Sequence, residues 1–172
     1  MRAVFFDRDG TLMEDAHYLG DPAGVRIYPG VPEALARLRA AGWGVFVISN
    51  QSGIGRGIIT LEQYRAVQAE FVRQAGPIDG AYFCPDPPGV PSARRKPEPG
   101  MVLEAAAEHA IDLARSWFVG DKALDVECGR RAGTRTIQVL TGYGAAQPCA
   151  PDLLCRDAVE AVARILALAD KM

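Results

Sequence analysis

Short apolar runs alternate with longer segments of helical spacing along the chain, and this alternation constrains the fold more than any other feature. Runs such as 3–6 and 45–48 have the length and composition of buried strands. Segment 32–41 instead places its apolar residues on one face of a helix. The predicted strands are 2–6, 44–48, 81–84, 116–119, 136–140 and 153–155. The predicted helices are 32–41, 60–75, 99–110, 123–132 and 157–169.

Strands that alternate with helices of this length favour right-handed crossovers. Such crossovers build a mostly parallel sheet with helices on both faces. A chain of 172 residues is close to the size of one ordinary domain. We therefore predict one α/β domain.

The charge balance excludes several classes of partner. Lysine and arginine number 19 and aspartate and glutamate 21, so the chain has no bulk attraction for nucleic acid or acidic membranes. Its apolar runs are too short to span a bilayer, and its first strand leaves no room for a signal peptide. The four cysteines form no CxxC pair and are interpreted as reduced thiols. We expect a cytoplasmic protein that binds neither nucleic acid nor membrane.

Polar and charged residues follow the ends of the first four predicted strands. Because ligands of an open parallel sheet bind beyond the carboxyl ends of its strands, these residues are candidates for one common site. In chain order they are Asp7, Asp9, Ser49, Asn50, Arg95, Lys96 and Asp121, with Asp125 one turn further on. Carboxylates beside a hydroxyl, an amide and a basic pair are what a phosphoryl group and a magnesium ion need together.

The chemistry of these residue types indicates covalent phosphoryl transfer. Carboxylates held close together repel, and Mg²⁺ prefers such hard oxygen ligands. A carboxylate such as Asp7 that attacks phosphorus forms an aspartyl phosphate and divides one hard hydrolysis into two easier steps. Asp9 is placed to protonate the leaving oxygen and later to take a proton from water. Lys96, Ser49 and backbone N–H groups near Gly10 are placed to hold the phosphoryl oxygens.

Each of these residues alone also has an ordinary structural interpretation. Asp7 at a strand end is equally typical of a turn, and Asp121 of a helix cap. The basic run at 94–96 alone is more typical of an exposed surface. The glycine-rich segment 53–57 lacks the spacing of a dinucleotide-binding loop. Candidate residues follow each of the first four predicted strands, and this joint placement favours the functional interpretation.

Four motifs in chain order resemble those of the haloacid dehalogenase superfamily of phosphohydrolases. They are DRDGT at 7–11, SNQSGI at 49–54, RKP at 95–97 and VGDK at 119–122. The resemblance extends from residue 4 to about 142. It is closest to the branch that contains D-glycero-D-manno-heptose 1,7-bisphosphate 7-phosphatase and histidinol-phosphate phosphatase. It implies a Rossmann-like three-layer sandwich with a mostly parallel sheet, and we expect residues 1–172 to form a single domain with no separate cap domain.

The resemblance also implies roles for the acidic residues. It implies Mg²⁺ dependence and an aspartyl-phosphate mechanism with Asp7 as the nucleophile. Asp9 would be the acid and base, and would give the metal its backbone carbonyl. Asp121 would be the other metal carboxylate.

The remaining motif residues are implied to bind substrate. Ser49 and Lys96 would hold the transferring phosphoryl group, and Asn50 and Arg95 would orient the rest of the substrate. We add Arg56 as a hypothesis for a second, distal phosphate. Alternatively, Arg56 is simply an exposed loop arginine.

The resemblance implies a small phosphorylated metabolite as substrate, and we expect a monomer that removes the 7-phosphate of the heptose bisphosphate. Histidinol phosphate or another small phosphometabolite is the alternative within the same chemistry. A receiver-type phospho-acceptor module is the alternative from another class, and Asp9 argues against it because a module that stores phosphate benefits from slow hydrolysis. A binding protein that has lost catalysis is disfavoured by the four intact motifs.

One departure from the branch concerns zinc. Members often carry a structural zinc in the loop after the third strand, held by Cys-x-His and a later Cys-x-Cys. Here Cys84 occupies the first position, but Asp86 replaces the histidine and Ser92 and Arg94 replace the two later cysteines. A lone thiolate does not make the tetrahedral site that zinc requires. We therefore expect no structural zinc.

Overall fold

Six short parallel strands form the sheet at the centre of the molecule. The computed structural model describes residues 1–169. The strands lie side by side in the order β3-β2-β1-β4-β5-β6. They are β1 (Ala3–Phe6), β2 (Gly44–Asn50), β3 (Gly80–Cys84), β4 (Trp117–Gly120), β5 (Arg135–Val139) and β6 (Leu153–Cys155). The strand order reverses between β1 and β4, which is where ligands of doubly wound sheets bind.

Helices cover both faces of this sheet. Side chains of β1 alternate between the faces, since Val4 and Phe6 belong to one core and Ala3 and Phe5 to the other. The first core contains residues of α1, α3 and α6, and the second contains residues of α4 and α5. The helices are α1 (Val31–Ala40), α2 (Ser52–Gly55), α3 (Leu61–Ala75), α4 (Gly100–His109), α5 (Ala123–Ala132) and α6 (Ala158–Ala169). The predicted three-layer α/β fold with a parallel sheet is confirmed.

Local signals place the helix ends. The Thr60 side chain accepts the backbone N–H of Gln63 at 3.1 Å, and the Gln63 side chain accepts the Thr60 N–H at 2.8 Å. This reciprocal capping box begins α3 where the sequence predicted it. At the start of α5, Asp125 accepts the backbone N–H of Lys122 at 3.0 Å. Asp125 therefore fixes a helix end as well as contributing to the site described below.

The structure differs from the predicted elements mainly at their ends. Strand β2 continues two residues beyond the prediction, to Asn50, because it pairs with β3 as far as Cys84. Helix α2 was not predicted, since four residues are too few to show helical periodicity. Among the described residues, no helix has both the length and the apolarity to cross a membrane.

The buried face of α1 gives a test of the two-sided core. Leu38 lies on the buried face of α1 and is fully buried, so Leu38→Ala leaves a cavity. We expect it to lower the free energy of unfolding by about 2–5 kcal/mol. Leu103 on α4 is 47% exposed, and Leu103→Ala is the matched control, with an expected change below about 1 kcal/mol. Urea denaturation followed by tryptophan fluorescence measures both, and equal changes would contradict the assigned core.

Candidate active site

Three buried carboxylates meet where β1 and β4 end. Asp7 follows β1, Asp121 follows β4 and Asp125 lies in the first turn of α5. One oxygen from each lies within 4.8 Å of the others. The backbone N–H of Asp7 donates to the Val119 carbonyl at 2.9 Å, which holds the end of β1 against β4. The two adjacent strands thus bring residues more than a hundred positions apart to one point.

A single buried ammonium lies among these carboxylates. Lys96 Nζ donates to Asp7 Oδ1 at 2.7 Å, to Asp125 Oδ1 at 2.7 Å and to the Ile48 carbonyl at 2.9 Å. Burial alone would lower the pKa of Lys96, but the carboxylates of Asp125 and Asp7 outweigh burial and raise it. Lys96 therefore stays protonated. Lys122 also lowers the pKa of Asp7 and Asp121, so two positive charges act on three carboxyl groups.

Two of these acidic residues, Asp121 and Asp7, have raised pKa values. Burial, followed by the charges of Asp7 and Asp125, raises the pKa of Asp121 to about 8. Burial also raises the pKa of Asp7, although Lys96 opposes that shift. Three clustered carboxylates that resist ionising together are stabilised by a divalent cation. Because all three offer hard oxygen atoms, the donor set fits Mg²⁺ rather than a soft metal.

The backbone at Gly10 and at Gly142 packs closely against the Asp121 carboxylate. Gly10 has a φ of +87°, and a Cβ there would lie 2.5 Å from Asp121 Oδ2. A Cβ at Gly142 would meet the same oxygen. Thr141 Oγ1 donates to the Gly10 carbonyl at 2.7 Å, and the Tyr143 N–H donates to Asp121 Oδ2 at 2.8 Å. The loop after β5 therefore belongs to the site.

Sequence reasoning missed the loop at 141–143. The rule that ligands bind beyond the carboxyl ends of parallel strands (the strand-end rule) located the other residues. It applies equally to β5, and it could have identified this loop. The sequence places Asp125 about one helical turn after Asp121, but Asp125 is not among the predicted site residues. The structure places it in contact with Lys96, inside the cluster.

Two of the predicted phosphate-binding residues, Ser49 and Asn50, lie at the end of β2. Ser49 is buried, and its Oγ lies 2.6 Å from Gln51 Nε2. Asn50 accepts the Lys96 N–H at 3.0 Å and donates to the Lys96 carbonyl at 3.1 Å. This two-bond contact fixes the backbone that carries Lys96. The predicted role of Asn50 in orienting substrate stays a prediction.

Asp9 and Arg95 line a cleft of about 190 Å³ that has Asp7 and Lys96 in its wall. The Asp9 side chain is 20% exposed, and its Oδ2 accepts Gln51 Nε2 at 2.9 Å. Arg95 Nη1 donates to the Asp86 carbonyl at 2.9 Å. Arg56 is exposed at the end of α2 and is not among the described residues that line this cleft. Its assignment to a distal phosphate stays a prediction.

The mouth of the cleft is bordered by two loops that touch. His17, in the loop after β1, lines the cleft, and its Nε2 lies 3.0 Å from the Tyr143 hydroxyl. Lys122 Nζ lies 4.9 Å from the centre of the Tyr143 ring and 3.9 Å from Asp15 Oδ2. Asp15, His17 and Lys122 line the cleft, and Tyr143 contacts the last two of them. Neither His17 nor Tyr143 was among the predicted site residues.

Hydrogen bonds organise the loop in which related proteins were expected to carry zinc. Cys84 Sγ lies 3.5 Å from both Asp86 Oδ2 and Ser92 Oγ. Ser92 Oγ in turn accepts the backbone N–H groups of Arg94 and Arg95 at 3.3 and 3.2 Å. This network holds the segment that leads to Lys96. The absence of structural zinc stays a prediction.

Comparisons with known proteins agree with this geometry. A family model described as "HAD-hyrolase-like" matches residues 93–161. A D-glycero-D-manno-heptose-1,7-bisphosphate 7-phosphatase of Chlorobaculum tepidum is 34% identical, over 94% of this chain and 92% of that protein. A D-glycero-beta-D-manno-heptose-1,7-bisphosphate 7-phosphatase of Rhodopseudomonas palustris is 39% identical, over 76% of this chain and 79% of that protein.

A solved structure is similar over almost the whole chain. It is the crystal structure of D,D-heptose 1.7-bisphosphate phosphatase from B. bronchiseptica complexed with magnesium and phosphate. The TM-score is 0.89 with 31% sequence identity, and the match covers 98% of this chain and 99% of that one. The resemblance predicted from the four motifs is thus confirmed. The chain belongs to the D-glycero-D-manno-heptose-1,7-bisphosphate 7-phosphatase family of haloacid dehalogenase-like phosphatases.

Proposed function

We propose that this phosphatase removes the 7-phosphate of D-glycero-D-manno-heptose 1,7-bisphosphate with Mg²⁺ as its cofactor. The observation that carries the proposal is the buried cluster of Asp7, Asp121 and Asp125 around Lys96. The substrate follows from the family, since relatives that match most of this chain bear that activity in their names. They favour the heptose bisphosphate over histidinol phosphate, the alternative that the sequence left open.

The residues for Mg²⁺ are the Asp7 and Asp121 carboxylates and the Asp9 backbone carbonyl. Asp125 is engaged differently, because its oxygens accept Lys96 Nζ and the Lys122 backbone N–H. It therefore orients Lys96 beside the metal ligands. When bound, Mg²⁺ supplies positive charge that lets an anionic phosphoryl group approach an anionic carboxylate.

Asp7 is the proposed nucleophile. An Asp7 carboxylate oxygen forms a bond to phosphorus while the bond from phosphorus to the leaving-group oxygen breaks. Lys96 Nζ, held 2.7 Å from Asp7 Oδ1, stabilises the ionised carboxylate that attacks. The product of this step is an aspartyl phosphate and an alcohol.

Asp9 is the proposed acid and base. In the first step it gives its proton to the leaving oxygen as the bond to phosphorus breaks. In the second step it takes a proton from the water that attacks phosphorus, and Asp7 leaves as a carboxylate. Phosphate is released and Asp9 regains the proton that it began with. Asp9 lies two residues after Asp7 in the sequence, and both residues line the cleft.

Binding of the substrate is assigned to the residues around the cleft. Ser49 and Lys96 hold the phosphoryl oxygens, and their burial provides a low-dielectric setting in which such contacts are strong. Arg95, fixed by the Asp86 carbonyl, and Asn50 orient the remainder of the substrate. Arg56 is retained as the proposed contact for the distal phosphate.

Replacing the nucleophile tests the proposal. Asp7→Asn should abolish phosphate release from the heptose bisphosphate, because a neutral amide does not attack phosphorus. The control is Asp112→Asn, the same change at an exposed carboxylate outside the cleft, which should retain wild-type turnover. A phosphate-release assay on the heptose bisphosphate, histidinol phosphate and nucleotides measures both variants and ranks the substrates. Turnover by Asp7→Asn, or a preference of the wild type for another substrate, would contradict the corresponding part of the proposal.

The raised pKa of Asp121 makes Mg²⁺ binding depend on pH. Because its pKa in the metal-free protein is about 8, Asp121 holds a proton at neutral pH that Mg²⁺ must displace. The apparent Mg²⁺ affinity should therefore rise between pH 6 and 8, by up to about tenfold per unit, and level off above that range. Isothermal titration calorimetry across this range measures the effect. An affinity that stays constant from pH 6 to pH 8 would show that Asp121 binds the metal without losing a proton.

A further inference from the structure

We propose that Arg8 and Gln68 are positioning residues for Asp9. They form a partly buried chain of hydrogen bonds that runs from helix α3 to the carboxylate on the cleft wall. The inference rests on the acid and base role of Asp9 in the proposed function. It assigns to α3, a helix outside the four motifs, a part in the proton-transfer steps.

Arg8 is buried to an extent that is unusual for a guanidinium. It follows β1, between Asp7 and Asp9, and is only 1% exposed. A buried guanidinium destabilises a fold unless its N–H donors are paired. Arg8 therefore needs hydrogen-bond partners inside the protein, and these are Asp9 and Gln68.

The first partner of Arg8 is the Asp9 carboxylate. Arg8 Nη2 donates to Asp9 Oδ1 at 3.2 Å and to Oδ2 at 3.1 Å, and Arg8 Nε lies 3.4 Å from Oδ1. A planar guanidinium that contacts both oxygens fixes the plane of a carboxylate as well as its position. Gln51 Nε2 donates to Asp9 Oδ2 at 2.9 Å. Asp9 is thereby held in one orientation while it remains partly exposed to the cleft.

The second partner of Arg8 is Gln68, near the middle of α3. Arg8 Nη1 donates to Gln68 Oε1 at 3.0 Å. The Gln68 Nε2 atom is buried and has no hydrogen-bond partner among the described residues. Turning the amide over would place its NH₂ group against the guanidinium, donor against donor. The amide is therefore oriented for Arg8, even though both N–H donors of its nitrogen are left without a partner among the described residues.

Helix α3 offers Arg8 a rigid platform. The Arg8 guanidinium carbon lies 5.6 Å from the centre of the Tyr64 ring, four residues before Gln68 and on the same helix face. Val67 and Phe71 of the same helix are fully buried in the core. A helix anchored in this way keeps the Gln68 oxygen in place while the cleft binds and releases substrate.

The consequence for catalysis depends on the leaving group. Arg8 keeps its protons throughout, since a guanidinium is not deprotonated in proteins, so it transfers no proton itself, and its proposed role is to orient Asp9. An alkoxide leaves phosphorus only when Asp9 supplies a proton, whereas nitrophenolate is a stable anion that departs without one. Misplacing Asp9 should therefore slow the transfer from an alkyl phosphate more than the transfer from p-nitrophenyl phosphate.

The experiment compares kcat/KM for these two kinds of ester, since kcat/KM reports the steps up to release of the leaving group. Gln68→Met removes the oxygen that holds Arg8 and fills the space with an apolar chain. We expect kcat/KM for the heptose bisphosphate to fall about tenfold and that for p-nitrophenyl phosphate to fall at most about twofold. Gln74→Met is the matched control on α3, where the amide donates to Glu70 rather than to Arg8, and should leave both values unchanged. Urea denaturation verifies that both variants are folded.

Two further variants separate positioning from a structural role. Gln68→Glu keeps an oxygen for Arg8 Nη1 and should restore kcat/KM for the alkyl ester to within about threefold of wild type. Arg8→Lys keeps the charge but cannot contact both Asp9 oxygens, and it should show the same selective loss as Gln68→Met. Equal losses on both esters, or no loss on either, would overturn the inference.

The outcome is separable from the fate of the proposed substrate. Failure of the wild type to hydrolyse the heptose bisphosphate would contradict the proposed function. The ratio of kcat/KM values would then be measured with the sugar phosphate that the wild type hydrolyses fastest. A selective loss with that ester would still support the positioning role of Arg8 and Gln68.

Discussion

Repulsion among three buried carboxylates is the constraint on which the active site depends. Asp7, Asp121 and Asp125 lie together beside Lys96, and burial followed by the charges of Asp7 and Asp125 raises the pKa of Asp121. A fold that relied on this cluster for stability would gain from replacing one carboxylate by a neutral residue. A divalent cation bound here would offset the carboxylates and would let an anionic phosphoryl group approach them.

The fold brings this cluster together at the point where the sheet changes direction. Adjacent β1 and β4 supply Asp7 and Asp121, while the loop after β5 approaches Asp121 through the backbone of Gly142. Lys96 arrives from a long loop and is fixed by Asn50 at the end of β2. Asp7, Lys96 and Asp121 are therefore each positioned by a neighbouring strand or by the loop that follows one, and the order of strands in the sheet determines the geometry of the site.

Much of this arrangement could be predicted from the sequence because it follows from local patterns and one topological rule. Apolar periodicity located the strands and most helices, and the strand-end rule located Asp7 and Asp121. The Asn50 amide was harder to interpret, because its partner is the Lys96 backbone, 46 positions away. No local pattern reports such a pairing. The Tyr143 N–H bond to Asp121 was missed for the same reason, since it depends on how the loop after β5 folds back.

If Asp7 carries the phosphoryl group during turnover, the resulting aspartyl phosphate can be trapped by chemical reduction. Borohydride added during turnover reduces an aspartyl phosphate to homoserine, which peptide mass spectrometry locates in the chain. We expect homoserine at position 7 when both Mg²⁺ and substrate are present. Homoserine at another aspartate, or an unmodified Asp7 during rapid phosphate release, would show that Asp7 is not the nucleophile.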